Sequence, residues 1–278
     1  MRRLSLLLPF WPVLFFFIAL AIFGKSSGFG VNKISSNFLY HSEWEVAGEE
    51  DPSLKEIISQ PFHYLNAGFQ SFAFVSEDGK YVLKFFKIEE LTPTFMGKIF
   101  PIKKYKIEDR QRTQRRKNVF AACKMAYEEL KEETGLIYVH LNATDHLKKT
   151  VQLFDKEQRR YLVDLDKTVF VVQKKAEMVY KHIGHKMKVN DFEGVKEAVQ
   201  AVVDLVAARS SKGFMDTDMA VRGNYGFIGN QPIHLDFLGL VKVEEPNEKE
   251  RIKVKMLGSI AKRYPSKFKE LKWAESSG

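Results

Sequence analysis

The chain has 278 residues, of which 45% are hydrophobic and 28% charged, the balance of a folded protein rather than of a disordered or low-complexity one. Its single cysteine, Cys123, excludes an intramolecular disulfide framework and a cysteine-rich zinc site. The formal charge of +9 points to acidic partners and says nothing about fold.

Met1-Arg2-Arg3 precedes an uncharged stretch of mostly Leu, Phe, Ile and Ala at 4–23. About 20 such residues match the hydrocarbon core of a bilayer, as a retained signal anchor would. Pro9 and Pro12 leave a shorter apolar run at 13–23, with Ala19-Leu20-Ala21 as a small-x-small site, and this fits a cleaved signal peptide. Residues 1–24 are therefore expected to be a signal peptide or a transmembrane signal anchor. In either case the arginines stay in the cytoplasm and the bulk of the chain is carried across, giving a membrane-anchored or secreted protein. Residues 25–60, with Gly28, Gly30, paired serines and Glu49-Glu50-Asp51, read as a linker.

The folded part is expected to begin near Pro61. Phe72, Phe74 and Val75, the turn Glu77-Asp78-Gly79-Lys80, and Tyr81-Val82-Leu83-Lys84-Phe85-Phe86 form a hairpin. Residues 98–117 hold nine basic residues against two acidic ones. This local excess equals the net charge of the chain without its first 24 residues. A long helix is predicted over 109–133, stopped by Thr134-Gly135, and 136–141 returns to extended form. A second hairpin is predicted from 150–154, a charged turn at 156–160, and 161–173. The apolar face of Val195, Ala198, Val199, Val202, Val203, Leu205 and Val206 marks a helix over 193–209. Strands follow at 225–228 and 233–235, and a last helix at 248–272. Asn142-Ala143-Thr144 matches a glycosylation acceptor. His182 and His185 share a helix face but have no acidic or cysteine neighbour close in sequence, which argues against zinc.

Polar residues at strand ends carry the chemical signal. Lys84 sits on a strand among Val82, Leu83, Phe85 and Phe86, so it must snorkel or meet an anion such as a phosphate or carboxylate. The apolar helix ends in Ser211-Lys212-Gly213-Phe214-Met215-Asp216-Thr217-Asp218; Asn224 precedes a strand, and the next strand runs into Asp236-Phe237-Leu238-Gly239. Acidic and amide groups at the ends of neighbouring elements suit a divalent metal and a proton acceptor.

In these residues the sequence resembles the protein-kinase-like superfamily, of a compact, divergent type, over roughly 61–240. Asp216-Thr217-Asp218 stands where the family's His-Arg-Asp stands. The resemblance implies an α+β, two-lobed kinase-like fold: an antiparallel sheet with a long helix at about 61–175, a reduced helical lobe at about 176–273, and a short tail at 274–278. It implies Mg2+ and ATP as cofactors, with Lys84 on the nucleotide phosphates and Gly68 and Ser71 in the phosphate-covering hairpin. It further implies Asp218, with Asp216 ranked second, as catalytic base, Asn224 and Asp236 as Mg2+ holders, and Glu128, ahead of Glu129 and Glu132, as the partner of Lys84. The sequence departs from the family at Asn66 and Ser71, where glycines are usual, in the six-residue step from Asp218 to Asn224, and in the extra Leu238. The expected activity is phosphoryl transfer from ATP to an unidentified acceptor hydroxyl on protein, lipid or small molecule. The alternatives are a pseudokinase serving as a membrane-associated binding module, and a non-enzymatic protein whose basic run at 98–117 contacts anionic lipid or nucleic acid. Beside a membrane segment the anionic membrane surface is the favoured partner of that run, and specific nucleic-acid binding is disfavoured.

Overall fold

The computed structural model describes residues 28–36, 38, 40–46, 52–93, 99, 103–218 and 220–271. The apolar segment at 1–24, Lys98 and the tail at 274–278 lie outside them. Among the described residues no helix is long and apolar enough to cross a membrane.

The architecture is α+β. Strands β1 (Phe62–Ala67), β2 (Ser71–Ser76) and β3 (Tyr81–Phe86) form a meander. The turn between β2 and β3 carries Gly79 at φ +71°, a left-handed position that glycine adopts without strain. Helix α1 (Lys103–Glu129) follows, then β4 (Leu136–His140), β5 (Thr150–Phe154), β6 (Arg160–Asp164) and β7 (Phe170–Lys174). These seven strands form one sheet in the order β4-β7-β3-β2-β1-β5-β6. The sheet is mixed rather than all antiparallel, because β1 and β5 pair in parallel; the whole β2–β4 excursion serves as their crossover.

Alternation along β2 and β3 sends Phe72, Phe74, Leu83 and Phe85 to one face of this sheet and Phe86 to the other. On that second face α1 packs only its C-terminal half, through Val119, Phe120, Cys123, Ala126 and Tyr127. The first half, rich in Lys, Arg and Gln, follows from strong helix formers continuing the same helix, which therefore starts earlier and ends earlier than predicted. Helix α1 breaks at Leu130, and a single turn (Lys131–Thr134) closes on Gly135 at φ +64°.

The chain continues with β8 (Glu177–Met178), α2 (Val179–Lys188), α3 (Phe192–Ser211), β9 (Phe214–Asp216), a single helical turn (Val221–Asn224) that ends on Asn224, β10 (Tyr225–Ile228), β11 (Gln231–His234), β12 (Leu240–Lys242), α4 (Lys249–Arg263) and α5 (Pro265–Glu270). Helices α2, α3 and α4 share a separate core with Tyr225 and Phe227. Asp191 caps α3 by accepting the Gly194 N–H at 2.9 Å; a Cβ at 194 would overlap that carboxylate.

Several expectations are corrected. Residues 25–60 are not a linker throughout: Phe29, Ile34, Leu54, Ile57 and Ile58 join the core on one face of the large sheet, and Trp44 the core under α1. Phe29 meets Phe74, Tyr161 and Phe72 edge-on at 4.8, 5.2 and 5.3 Å. The predicted arm 161–173 is two strands, because a 3-10 turn at Leu165–Lys167, capped by Asp164, turns the chain from beside β5 to between β3 and β4. The last helix is broken at Tyr264 ahead of Pro265, which cannot continue a helical hydrogen-bond ladder. Strands β9 and β12 were not foreseen, being three residues each.

Two outcomes are expected. Phe29→Ala should destabilise the protein by about 3 kcal/mol in denaturant unfolding, whereas a free linker residue would change nothing. His140 is buried, donates Nδ1–H to the Thr168 carbonyl at 2.7 Å, and is held by burial below the ordinary histidine pKa of 6.5. The unfolded chain therefore takes up this proton first, so stability is complete above pH 6.5 and falls as pH drops below it toward the folded value. His140→Asn, which keeps a donor for Thr168, should flatten that part of the profile of melting temperature against pH.

Candidate functional site

Strand β3 delivers Lys84 to the face that α1 covers, and the loop after β11 delivers Asp236 opposite it. Lys84 Nζ donates to the Leu235 carbonyl at 2.8 Å and lies 5.8 Å from the Phe237 ring centroid. Desolvation lowers its pKa, against the opposing pull of the Asp236 carboxylate. Cys123 is a neutral thiol, pushed up by burial.

Lys84, Leu235, Asp236 and Phe237 line a cleft of about 410 Å³, within the range of small-molecule sites. Its polar lining includes Gln70, Ser71, Lys84, Thr217, Asp218 and Asp236, with the backbone of Gly68; its apolar lining is Phe69, Phe86, Val171, Leu235, Phe237 and Leu238. Five of the eight residues singled out from sequence thus share one cleft: Gly68, Ser71, Lys84, Asp218 and Asp236. The Gly68 turn is held shut on itself by Gly68 N–H to Ser71 O at 2.9 Å, and Lys87 Nζ donates to Gly68 O at 2.6 Å.

Asp216 and Asn224 lie beneath the cleft, each 3% exposed. Asn224 Nδ2 donates to Asp216 Oδ2 at 3.2 Å and to the Asp218 carbonyl at 2.9 Å, while the Asp218 N–H meets Asp216 Oδ1 at 2.8 Å. The loop around Asp218 is tied to the loop after Asp236: β9 pairs with β12, and Thr217 N and Oγ1 both donate to Gly239 O. A Cβ at 239 would overlap Asp216 Oδ1, so glycine is required there for the two loops to approach. His234 Nε2 stands 3.1 Å from Asp216 Oδ2, and burial lowers its pKa, keeping it neutral. Sequence reasoning passed over His234, Arg209 and Glu248, since a lone histidine two residues before Asp236 carries no pattern by itself.

Glu128 is not the partner of Lys84. It is exposed and pairs with Lys124 at 3.9 Å, one helical turn away; the residue that α1 buries against the sheet in this stretch is the uncharged Cys123. Glu129 pairs with Lys242 and Glu133 with Lys212. The basic run is also partly committed. Arg115 bonds Glu90 at 2.8 Å and stacks 5.0 Å from the Phe69 ring at the tip of the β1–β2 turn, and Arg116 lies over Phe38 and Trp44. Asn142 is buried and exchanges hydrogen bonds with the His41 backbone, which closes it to glycosylation. His182 and His185 do have an acidic neighbour, Glu177, at 3.4 and 3.5 Å. Among the described residues no group of three or more His, Cys, Asp or Glu is arranged to hold a metal ion.

The donor set is compatible with Mg2+ and a nucleotide. Mg2+ beside a nucleotide typically takes one or two protein carboxylates and completes its shell with phosphate oxygens and water, and the exposed carboxylate of Asp236 would supply one in the cleft. With its amide N–H donors committed to Asp216 and Asp218, Asn224 has only its side-chain oxygen to offer a metal.

The sequence matches no family model and no curated protein. Among solved structures it is similar to the bifunctional kinase-methyltransferase WbdD, at a TM-score of 0.37 and 13% identity, over 68% of this chain and 33% of that one. The chain thus spans about a third of that protein's length, and a likeness at this level carries no argument.

Replacing Lys84 by Met removes a desolvated cation but leaves the Leu235 carbonyl without its donor. The two effects oppose each other, so Lys84→Met should keep the unfolding free energy within about 1 kcal/mol of the parent. A large loss would show that Lys84 is a structural residue.

Proposed function

We propose that this chain is a kinase-like phosphotransferase that moves the terminal phosphoryl group of ATP to an acceptor hydroxyl. The observation that carries this reading is the meeting of Lys84, Asp218 and Asp236 in one cleft with the Gly68 turn, although up to 168 residues separate them in sequence. In this reading Phe86, Val171 and Leu235 receive the base, and the ammonium of Lys84 faces the phosphates. Asp236 and the side-chain oxygen of Asn224 would hold Mg2+, which would offset the charge of the phosphate oxygens. Asp218 orients the acceptor hydroxyl and takes its proton as the acceptor oxygen bonds to the terminal phosphorus and the bond from that phosphorus to the bridging oxygen breaks, releasing ADP. The Phe69 turn covers the site and limits water.

The apolar segment at 1–24 supports tethering to, or export across, a membrane, and such an enzyme works where ATP is supplied on the far side. The cations of α1 that remain exposed for an anionic membrane surface are Lys103, Lys104, Lys106, Arg110 and Lys117. A second reading, a pseudokinase that binds nucleotide without transfer, is favoured by the lack, among the described residues, of a glutamate facing Lys84.

Calorimetry on the full chain in mild detergent tests both readings. ATP with Mg2+ should bind saturably, with binding lost in Lys84→Ala and Asp236→Ala. Asp218→Asn should keep binding and lower ATP turnover to ADP by on the order of 100-fold or more. Binding without turnover in the parent chain would favour the pseudokinase, and no binding would overturn both.

A further inference from the structure

Behind the cleft, side chains from α3, β11, β9 and the start of α4 form one buried chain of hydrogen bonds. Glu248 Oε2 accepts from Arg209 Nη2 at 2.6 Å, and Arg209 Nη1 lies 3.2 Å from Tyr225 Oη and 3.1 Å from His234 Nδ1. His234 Nε2 then reaches Asp216 Oδ2 at 3.1 Å. Arg209, His234, Asp216 and Glu248 are each at most 3% exposed. Tyr225, whose phenol burial pushes up to about 12, stays neutral and stacks on His234 at 5.0 Å.

The chemistry of the donors decides where the imidazole proton sits. A guanidinium donates and cannot accept, so His234 Nδ1 must present its lone pair to Arg209, and the proton of the neutral ring must be on Nε2, aimed at Asp216. Asp216 then accepts from His234, from Asn224 and from the backbone N–H of Asp218. Its oxygens are engaged, whereas Asp218 is exposed to the cleft.

We infer that Arg209 and His234 are positioning residues: Arg209 fixes His234 as an Nε2–H donor, His234 and Asn224 clamp Asp216, and Asp216 sets the backbone on which Asp218 faces the acceptor. This deepens the phosphotransferase reading and rests on it for the role of Asp218. It makes Asp216 the anchor of the loop and leaves the proton-accepting role to Asp218 alone. It also ties that role to the first residue of the α4 cap, 30 residues further along the chain.

The test uses the full chain in mild detergent with 15N-labelled histidine. Long-range proton–nitrogen correlation spectra should show His234, identified by the signal missing in His234→Phe, protonated on Nε2. A proton on Nδ1 overturns the inference. His234→Phe leaves Asp216 short of a donor, so a second variant, Arg209→Met with Glu248→Met, keeps the region folded: Arg209 Nε and Glu248 Oε1 have no partner among the described residues, and an incompletely satisfied buried pair is replaced by apolar groups at little cost. In both variants hydrogen exchange of the Asp218 amide should speed up, and ATP turnover should fall by on the order of 100-fold with the Kd for Mg-ATP unchanged. Unchanged Asp218 exchange in both variants overturns the inference, as does unchanged turnover. If the parent chain turns over no ATP, the phosphotransferase reading fails by itself, and the tautomer and the Asp218 exchange still decide the positioning role.

Discussion

The ion pair between Arg209 and Glu248, at 2.6 Å and 1% exposure on both sides, is the constraint around which the second half of the chain is arranged. Two charges this deeply buried are tolerated only when they meet each other and further hydrogen-bonding groups. Arg209 sits in the last turns of α3 and Glu248 at the cap of α4, so the pair fixes these helices together at their ends. The other terminal nitrogen of Arg209, Nη1, reaches Tyr225 and His234, which draws β10 and β11 against the same point. Through His234 the arrangement continues to Asp216, and from there to the two loops that line the cleft.

The cleft divides its work between rigid and exposed groups. Lys84 is held on a central strand and points at the Leu235 carbonyl, so its position follows from sheet register: Ala73 and Val171 flank it on either side. Asp218 and Asp236 sit on loops, but the β9–β12 pairing and the contact of Asp216 with Gly239 knit those loops together. The turn at Phe69 is tied to α1 through Arg115, which also bonds Glu90. The basic run that stands out in the sequence is therefore partly an internal feature: Arg115 and Arg116 cover aromatic rings, whereas Lys103, Lys104, Lys106, Arg110 and Lys117 remain exposed to a partner.

Much of the fold was legible because local patterns were strong. Alternating Phe and Val around a four-residue turn marked β2 and β3, and the valine face of α3 left no other reading. What stayed hidden depended on contacts distant in sequence. Phe29 lies in a Gly- and Ser-rich stretch and reads as linker until Phe72, Phe74 and Tyr161 are brought to it. Strands of three residues, such as β9 and β12, are too short to show a period. Glu128 is not distinguished by the sequence for a related reason: on a helix whose charged residues recur at every turn, spacing does not say which one faces inward, and the inward position belongs to Cys123.

The sequence by itself determined the classes of element, their order, and the set of polar residues at strand ends, because periodicity and turn chemistry act over a few residues. It also showed an apolar N-terminal segment unlike the rest of the chain. Only the tertiary structure decided which of those polar residues share a cleft, which lie beneath it as supports, and that Lys84 has Leu235 and Asp236 rather than a glutamate before it. Those outcomes turn on strand order, helix rotation and the cost of burying unpaired charge, and these are properties of the packed chain as a whole.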